Sequence, residues 1–153
     1  LERLRDAQAG RAEVRALALA LRPLRDAREG SIVVSALGKR HDWERAVGLW
    51  AEWLLAGGEG ATGQVCRSAV VACSRASRWP HCLSLVAKAV EAHDGNSCAV
   101  DGATCSAAIA ACGKGQAWRH ALGLLDLRLR AEAADPVAFG SAVAACARGA
   151  HWR

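Results

Sequence analysis

The sequence predicts an all-α fold, an α-solenoid of stacked helix–turn–helix repeats of about 35 residues. Three observations predict it. Trp43, Trp79, Trp118 and Trp152 follow one another at spacings of 36, 39 and 34 residues. Each closes a related segment, reading SALGKRHDW, VACSRASRW, AACGKGQAW and AACARGAHW. Between the tryptophans, apolar residues recur at i, i+3, i+4 and i+7, which places them on one face of a helix. Finally, the 153 residues are 52% hydrophobic but only 5% aromatic, with three prolines. That balance suits helices packed through small side chains and argues against a sheet.

Taken in chain order, residues 1–26 read as an N-terminal helical segment, either a degenerate repeat or a cap. Residues 14–24 are dense in Ala and Leu. Repeat 1 spans 27–62, and its second helix carries Trp43, Ala46, Val47, Trp50 and Leu54 at helical spacing. Repeat 2 spans 63–101 and places Trp79, Cys82, Leu83, Val86 and Val90 in the same frame. Pro80 falls at the start of that second helix, where its missing N–H costs nothing. Repeat 3 spans 102–135. Its first helix presents Cys105, Ala108, Ile109 and Cys112, then a Gly-Lys-Gly turn leads to Trp118, Ala121, Leu122, Leu125 and Leu129. Residues 136–153 form a truncated fourth repeat, so the frame predicts a fragment. Connectors at 57–63, 94–102 and 132–136 are rich in Gly and polar residues. One hairpin cannot bury its own apolar face, and stacking supplies the core.

Twenty Lys and Arg against fifteen Asp and Glu give a net charge of +5, which favours an acidic partner. The seven cysteines are odd in number and sit mostly in Ala-rich helical segments. They read as free thiols acting as small hydrophobes in a reducing compartment. Pairs such as Cys66 and Cys73, Cys98 and Cys105, or Cys105 and Cys112 lie seven residues apart. Seven helical residues rise about 10.5 Å, too far for two thiolates to share one zinc at about 2.3 Å. Equivalent cysteines in adjacent units, such as Cys73 and Cys112, could come closer, but no C-x-x-C or Cys/His cluster is present, so no metal is expected. No apolar run approaches the roughly 18 residues of a membrane span. No phosphate-binding glycine loop or dinucleotide fingerprint follows a strand, and no nucleophile–base arrangement emerges. The chain therefore reads as a non-enzyme with no cofactor, no small-molecule substrate and no membrane partner. His81 and His120 share a position two residues after a Trp and read as surface residues. The four frame tryptophans read as wedges between hairpins, while Trp53 lies off the main apolar face.

The units resemble pentatricopeptide repeats over about 27–153. The resemblance is carried by Asp135-Pro-Val-Ala-Phe-Gly-Ser-Ala-Val-Ala-Ala-Cys146, by Asp101-Gly-Ala-Thr-Cys-Ser-Ala-Ala-Ile-Ala-Ala-Cys112, by the Lys/Arg-Gly turn, and by the Trp-x-x-Ala-Leu-x-Leu-Leu run from Trp118 to Leu125. Tetratricopeptide repeats share the period, but they call for a Tyr and this chain has none. The resemblance implies single-stranded RNA held in a groove lined by the first helices. Lys39, Arg75, Lys114 and Arg148, each four residues before its Trp, would meet phosphates; a cation there would also complement the helix dipole. The residues implied to read bases are Ser31 with Thr62, Arg67 with Asp101, Ser106 with Asp135, and Gly140. Ser106 with Asp135 is the best-formed pair and resembles those that favour guanine, whereas Arg67 and Gly140 depart from the family pattern. Arg28, Gln64, Ala103 and Val137 would pack on the bases. The resemblance further implies organellar RNA processing, stabilisation or editing in a chloroplast or mitochondrion, although the Arg-rich start is interspersed with acids and shows no targeting peptide. The alternative is a protein–protein interaction scaffold of helical repeats. A basic row turned away from the groove, or an ion pair of Arg67 closing it, would favour that alternative.

Overall fold

The computed structural model describes residues 10–20, 27–55, 62–91, 100–130 and 136–149. Among them the secondary structure is entirely helical: α1 (Arg11–Ala20), α2 (Ala27–Lys39), α3 (Trp43–Leu55), α4 (Thr62–Arg75), α5 (Trp79–Glu91), α6 (Gly102–Lys114), α7 (Trp118–Arg130) and α8 (Pro136–Arg148). Helices α2/α3, α4/α5 and α6/α7 pair as hairpins, and α8 follows as a further first helix. The first helices α2, α4, α6 and α8 stack in one row. Each second helix packs on its own first helix and on the next one. The fold is an α-solenoid.

That arrangement explains why the two helix types bury different amounts of surface. A first helix is flanked on both sides, so α6 buries Thr104, Cys105, Ser106, Ala108, Ile109, Ala111, Cys112 and Gly113, most of its circumference. A second helix is covered on one side only, and α7 buries just Ala121, Leu124 and Leu125. The buried stripe of the second helices differs from the sequence expectation. Leu49, Leu85 and Leu124, six residues after each Trp, are buried, whereas Leu122 and Leu129 are exposed. No following second helix flanks α7 among the described residues. Trp53 packs back on its own unit, with its ring beside Gly30.

The three hairpin turns are built alike. His41, Ser77 and Gln116, two residues before each Trp, take left-handed φ values of 58°, 56° and 57°. The next residue closes the turn by donating five residues back: Asp42 N to Leu37 O, Arg78 N to Cys73 O and Ala117 N to Cys112 O. This is a Schellman closure. The expected glycine turn in repeat 3 is shifted by one: Gly115 has φ −87° and Gln116 carries the left-handed conformation.

Spacing along the first-helix row depends on small residues. A Cβ on Gly38 would lie 2.6 Å from Ala72 Cβ, and one on Gly113, in the same frame position, 3.0 Å from Ala145 Cβ. Between α4 and α6 that position holds Ser74, and this is the least extensive of the first-helix interfaces. At the other end of the stack, α1 closes the row. It buries Val14 and Ala18 and holds Asp42, which is only 2% exposed, through Arg11 and Arg15. The Arg15 guanidinium hydrogen bond keeps the Asp42 carboxyl below the usual carboxylate range despite its burial, and Arg11 adds to the effect.

Two predictions follow from this packing. Gly38→Ala forces α2 and α4 apart and costs about 1–3 kcal/mol, as overpacking does. By contrast Gly48→Ala and Gly123→Ala, exposed helical positions with nothing near the added methyl, gain about 0.5–1 kcal/mol in helix propensity. Urea denaturation separates the two signs. Asp42→Asn costs about 1–3 kcal/mol at neutral pH by loss of hydrogen bonds to a charged group. Because the folded carboxyl is held low, its contribution is complete above the ordinary value of about 3.9 and fades as pH falls toward the depressed folded value. The stability difference between wild type and Asp42→Asn should therefore shrink with acidification below about pH 4.

Candidate nucleic-acid interface

The first helices run in register, so residues sharing a frame position form lines along the solenoid. Lys39, Arg75, Lys114 and Arg148 terminate α2, α4, α6 and α8, and all four are exposed. They lie on the hairpin-turn edge of the stack, about one helix spacing, 8–10 Å, apart. Two of them are anchored across a unit boundary: Lys114 Nζ donates to Ser74 O at 3.3 Å, and Arg148 Nε donates to Gly113 O at 3.1 Å. Each of these cations thus complements the carbonyl end of the preceding first helix. An ammonium has three donors and a guanidinium five, so one carbonyl does not exhaust either group.

The same edge carries aromatic rings. Trp43 meets His81 of the next unit edge-on, with centroids 4.6 Å apart, and the Arg78 guanidinium lies over Trp43 at 5.1 Å. Trp79 meets His120 at 5.2 Å, and Arg119 lies over Trp118 at 5.1 Å. The histidines are exposed, yet each one also joins its unit to the previous tryptophan. Their shared frame position was the available signal, although spacing does not show that the contact reaches back a full unit. Segments 75–81 and 114–120 contain no carboxylate. In 39–45 the acids are Asp42, already paired, and Glu44.

The residues implied to read bases present a less open picture. Ser31 and Ser106 are buried, and Ser106 Oγ is enclosed without a hydrogen-bond partner. Arg67 and Asp101 form an ion pair with each other. Asp101 also caps α6, accepting from Thr104 N at 2.8 Å and from Thr104 Oγ1 at 2.6 Å. Gly140 is exposed on α8. Thr62 opens α4, but its side chain lies outside the described residues, as do Asp135 and Trp152. The positions implied to pack on bases, Arg28, Gln64, Ala103 and Val137, are all exposed.

The thiols of the described residues are packing groups. Cys66, Cys73, Cys82, Cys105 and Cys112 are buried and Cys146 is half-buried. Burial pushes the Cys66 thiol up to about 12 and Cys112 to about 11. Cys82 is raised by its contact with Cys73 and by burial, and it lies 3.6 Å from Val70 O. No group of three or more His, Cys, Asp or Glu among the described residues could hold a metal ion, and no described helix is long and apolar enough to cross a membrane.

Compared with known proteins, the chain matches no family model and no curated protein.

Thiol chemistry gives a direct check on this packing. With Cys98, outside the described residues, replaced by Ser, an aromatic disulfide reagent should titrate Cys146 in the native protein. The five buried thiols should react only at the rate of unfolding, since reaction requires an accessible thiolate.

Proposed function

We propose that this chain binds single-stranded RNA along the turn edge of its solenoid, without performing chemistry on it. The observation that carries the reading is the line of exposed cations Lys39, Arg75, Lys114 and Arg148, one per stacked unit. A polyanion with regularly spaced phosphates is the partner that such a periodic row suits, and binding would release condensed counterions. Indole and imidazole rings interleaved with the cations add surfaces on which bases stack. The pentatricopeptide resemblance extends the proposal to organellar transcript processing, stabilisation or editing.

One observation favours a second reading, a protein-interaction scaffold. The Arg67–Asp101 ion pair occupies both residues implied to read a base in the second unit, and a groove closed there would serve protein contacts better than base recognition. Helical solenoids support both roles.

Fluorescence anisotropy with single-stranded RNA at several salt concentrations separates the two. If three or four cations meet phosphates, log K should fall with log salt at a slope of about −2 to −3. The quadruple variant Lys39→Ala, Arg75→Ala, Lys114→Ala and Arg148→Ala, with helicity confirmed by circular dichroism, should lose most of that slope. A folded wild type that binds no RNA, or a variant that binds equally well, would place the scaffold reading first.

A further inference from the structure

The two complete junctions between hairpins share their Trp and His but differ at four frame positions, Ala76, Ser77, Arg78 and Pro80 at the first against Gly115, Gln116, Ala117 and Arg119 at the second, and a cleft lies at the second. At the first junction the residue before the tryptophan of the second unit is Arg78, whose guanidinium lies over the Trp43 ring at 5.1 Å. At the second junction the equivalent residue is Ala117. There an open cavity of about 410 Å³ lies between the units, lined by Trp79, Gly115, Ala117, Trp118, Arg119 and His120, together with Gln116. Its volume falls within the roughly 300–1,000 Å³ of small-ligand clefts. Gly115 is required here, because any side chain would collide with the Trp79 ring. The indole therefore rests directly against the turn backbone and forms one wall.

From this contrast we propose that the cleft between the second and third units takes one unpaired nucleobase of a bound RNA strand, stacked beside Trp79 in the space that Arg78 fills over Trp43. The inference rests on the single-stranded RNA reading and adds where a base goes: at the turn edge, not among the residues of the first helices. The first junction shows that a planar group is accommodated beside the frame tryptophan. Charge selects which planar group enters the second. No carboxylate lines the cleft, Arg119 borders it, and Arg75 and Lys114 end the neighbouring first helices. A partner's arginine would be repelled, whereas a base carried on an anionic backbone brings its phosphates to these cations. The alternative location is poorly prepared, with Ser106 Oγ enclosed and Arg67 paired with Asp101. Base–aromatic stacking tolerates any base, because every base has a π-face.

The experiment fills the cleft without removing a wall. Ala117→Arg copies the residue that the first junction already holds, and Ala117→Leu fills the same space without adding charge. An adenine decaribonucleotide and its fully abasic counterpart, of equal charge, are titrated by anisotropy into wild type and both variants. The protein is labelled with 5-fluorotryptophan, and the Trp79 fluorine resonance is assigned through Trp79→Phe. In wild type the decamer should bind about ten-fold tighter than the abasic strand and move the Trp79 resonance saturably. In both variants that preference should fall toward one, while the salt slope is retained. If wild type binds the decamer with the Trp79 resonance unmoved, or if either variant keeps the full preference, the cleft assignment is overturned and RNA binding stands. If the folded wild type binds neither strand, the RNA reading fails and the cleft assignment falls with it.

Discussion

The close approach of neighbouring first helices, such that a Cβ on Gly38 would lie 2.6 Å from Ala72 Cβ of the next, is the constraint on which the register of the stack depends. Two helix backbones approach this closely only where neither side chain extends beyond a methyl group. The contact recurs between Gly113 and Ala145, so the first helices stack in register as if translated. Everything useful about the surface follows from that translation. One cation at the end of a helix is an isolated charge, whereas the same cation on helices in register becomes a line. The cations at the helix ends therefore take their spacing from the register of the helices, and Lys114 and Arg148 are further fixed by their bonds to the preceding first helix.

Register also determines what happens at the turns. The left-handed residue at each turn reverses the chain within a few residues and delivers the tryptophan to the unit boundary, where the ring spans two hairpins. Trp43 reaches His81 and Trp79 reaches His120, so the turns are tied to one another as well as to their own helices. Glycine at position 115 lets Trp79 sit against the turn, while Ala76 holds the matching position at the first junction. Alanine at 117 leaves open what arginine at 78 covers. A repeat that is periodic in its backbone is thus varied in what it offers at each junction, and the variation lies in side chains that do not alter the stack.

The helical periodicity and the tryptophan frame made the fold legible in the sequence, because both derive from local structure: 3.6-residue spacing along each helix and one recurring turn. What was not legible depends on neighbours in space. Leu49, Leu85 and Leu124 are buried because the second helix leans on the following unit as well as its own, a geometry that one-dimensional spacing does not contain. The candidate site divides in the same way. The cation line follows from frame position alone. The fate of Ser106 and Arg67 depends on what packs around them: a small hydroxyl near the start of a first helix becomes enclosed, and a long cation finds the capping carboxylate of the next helix. Arg78, Arg119 and the backward reach of the histidines belong to this second class.

The anchoring of Lys114 and Arg148 sharpens what the cation line can do. A side-chain cation bonded to a helix-end carbonyl is held in place before any ligand arrives, so less rotamer entropy remains to be lost on binding. The carbonyl it meets carries only partial negative charge, and the cation stays exposed with donors to spare. Anchoring and phosphate binding are therefore compatible on the same side chain, and the helix-dipole explanation does not compete with a nucleic-acid role. It also accounts for why the positively charged edge can coexist with a stable stack: each anchored charge rests against the negative end of the helix before it. Repulsion along the line is offset within the fold, and the outward field that would attract a polyanion remains.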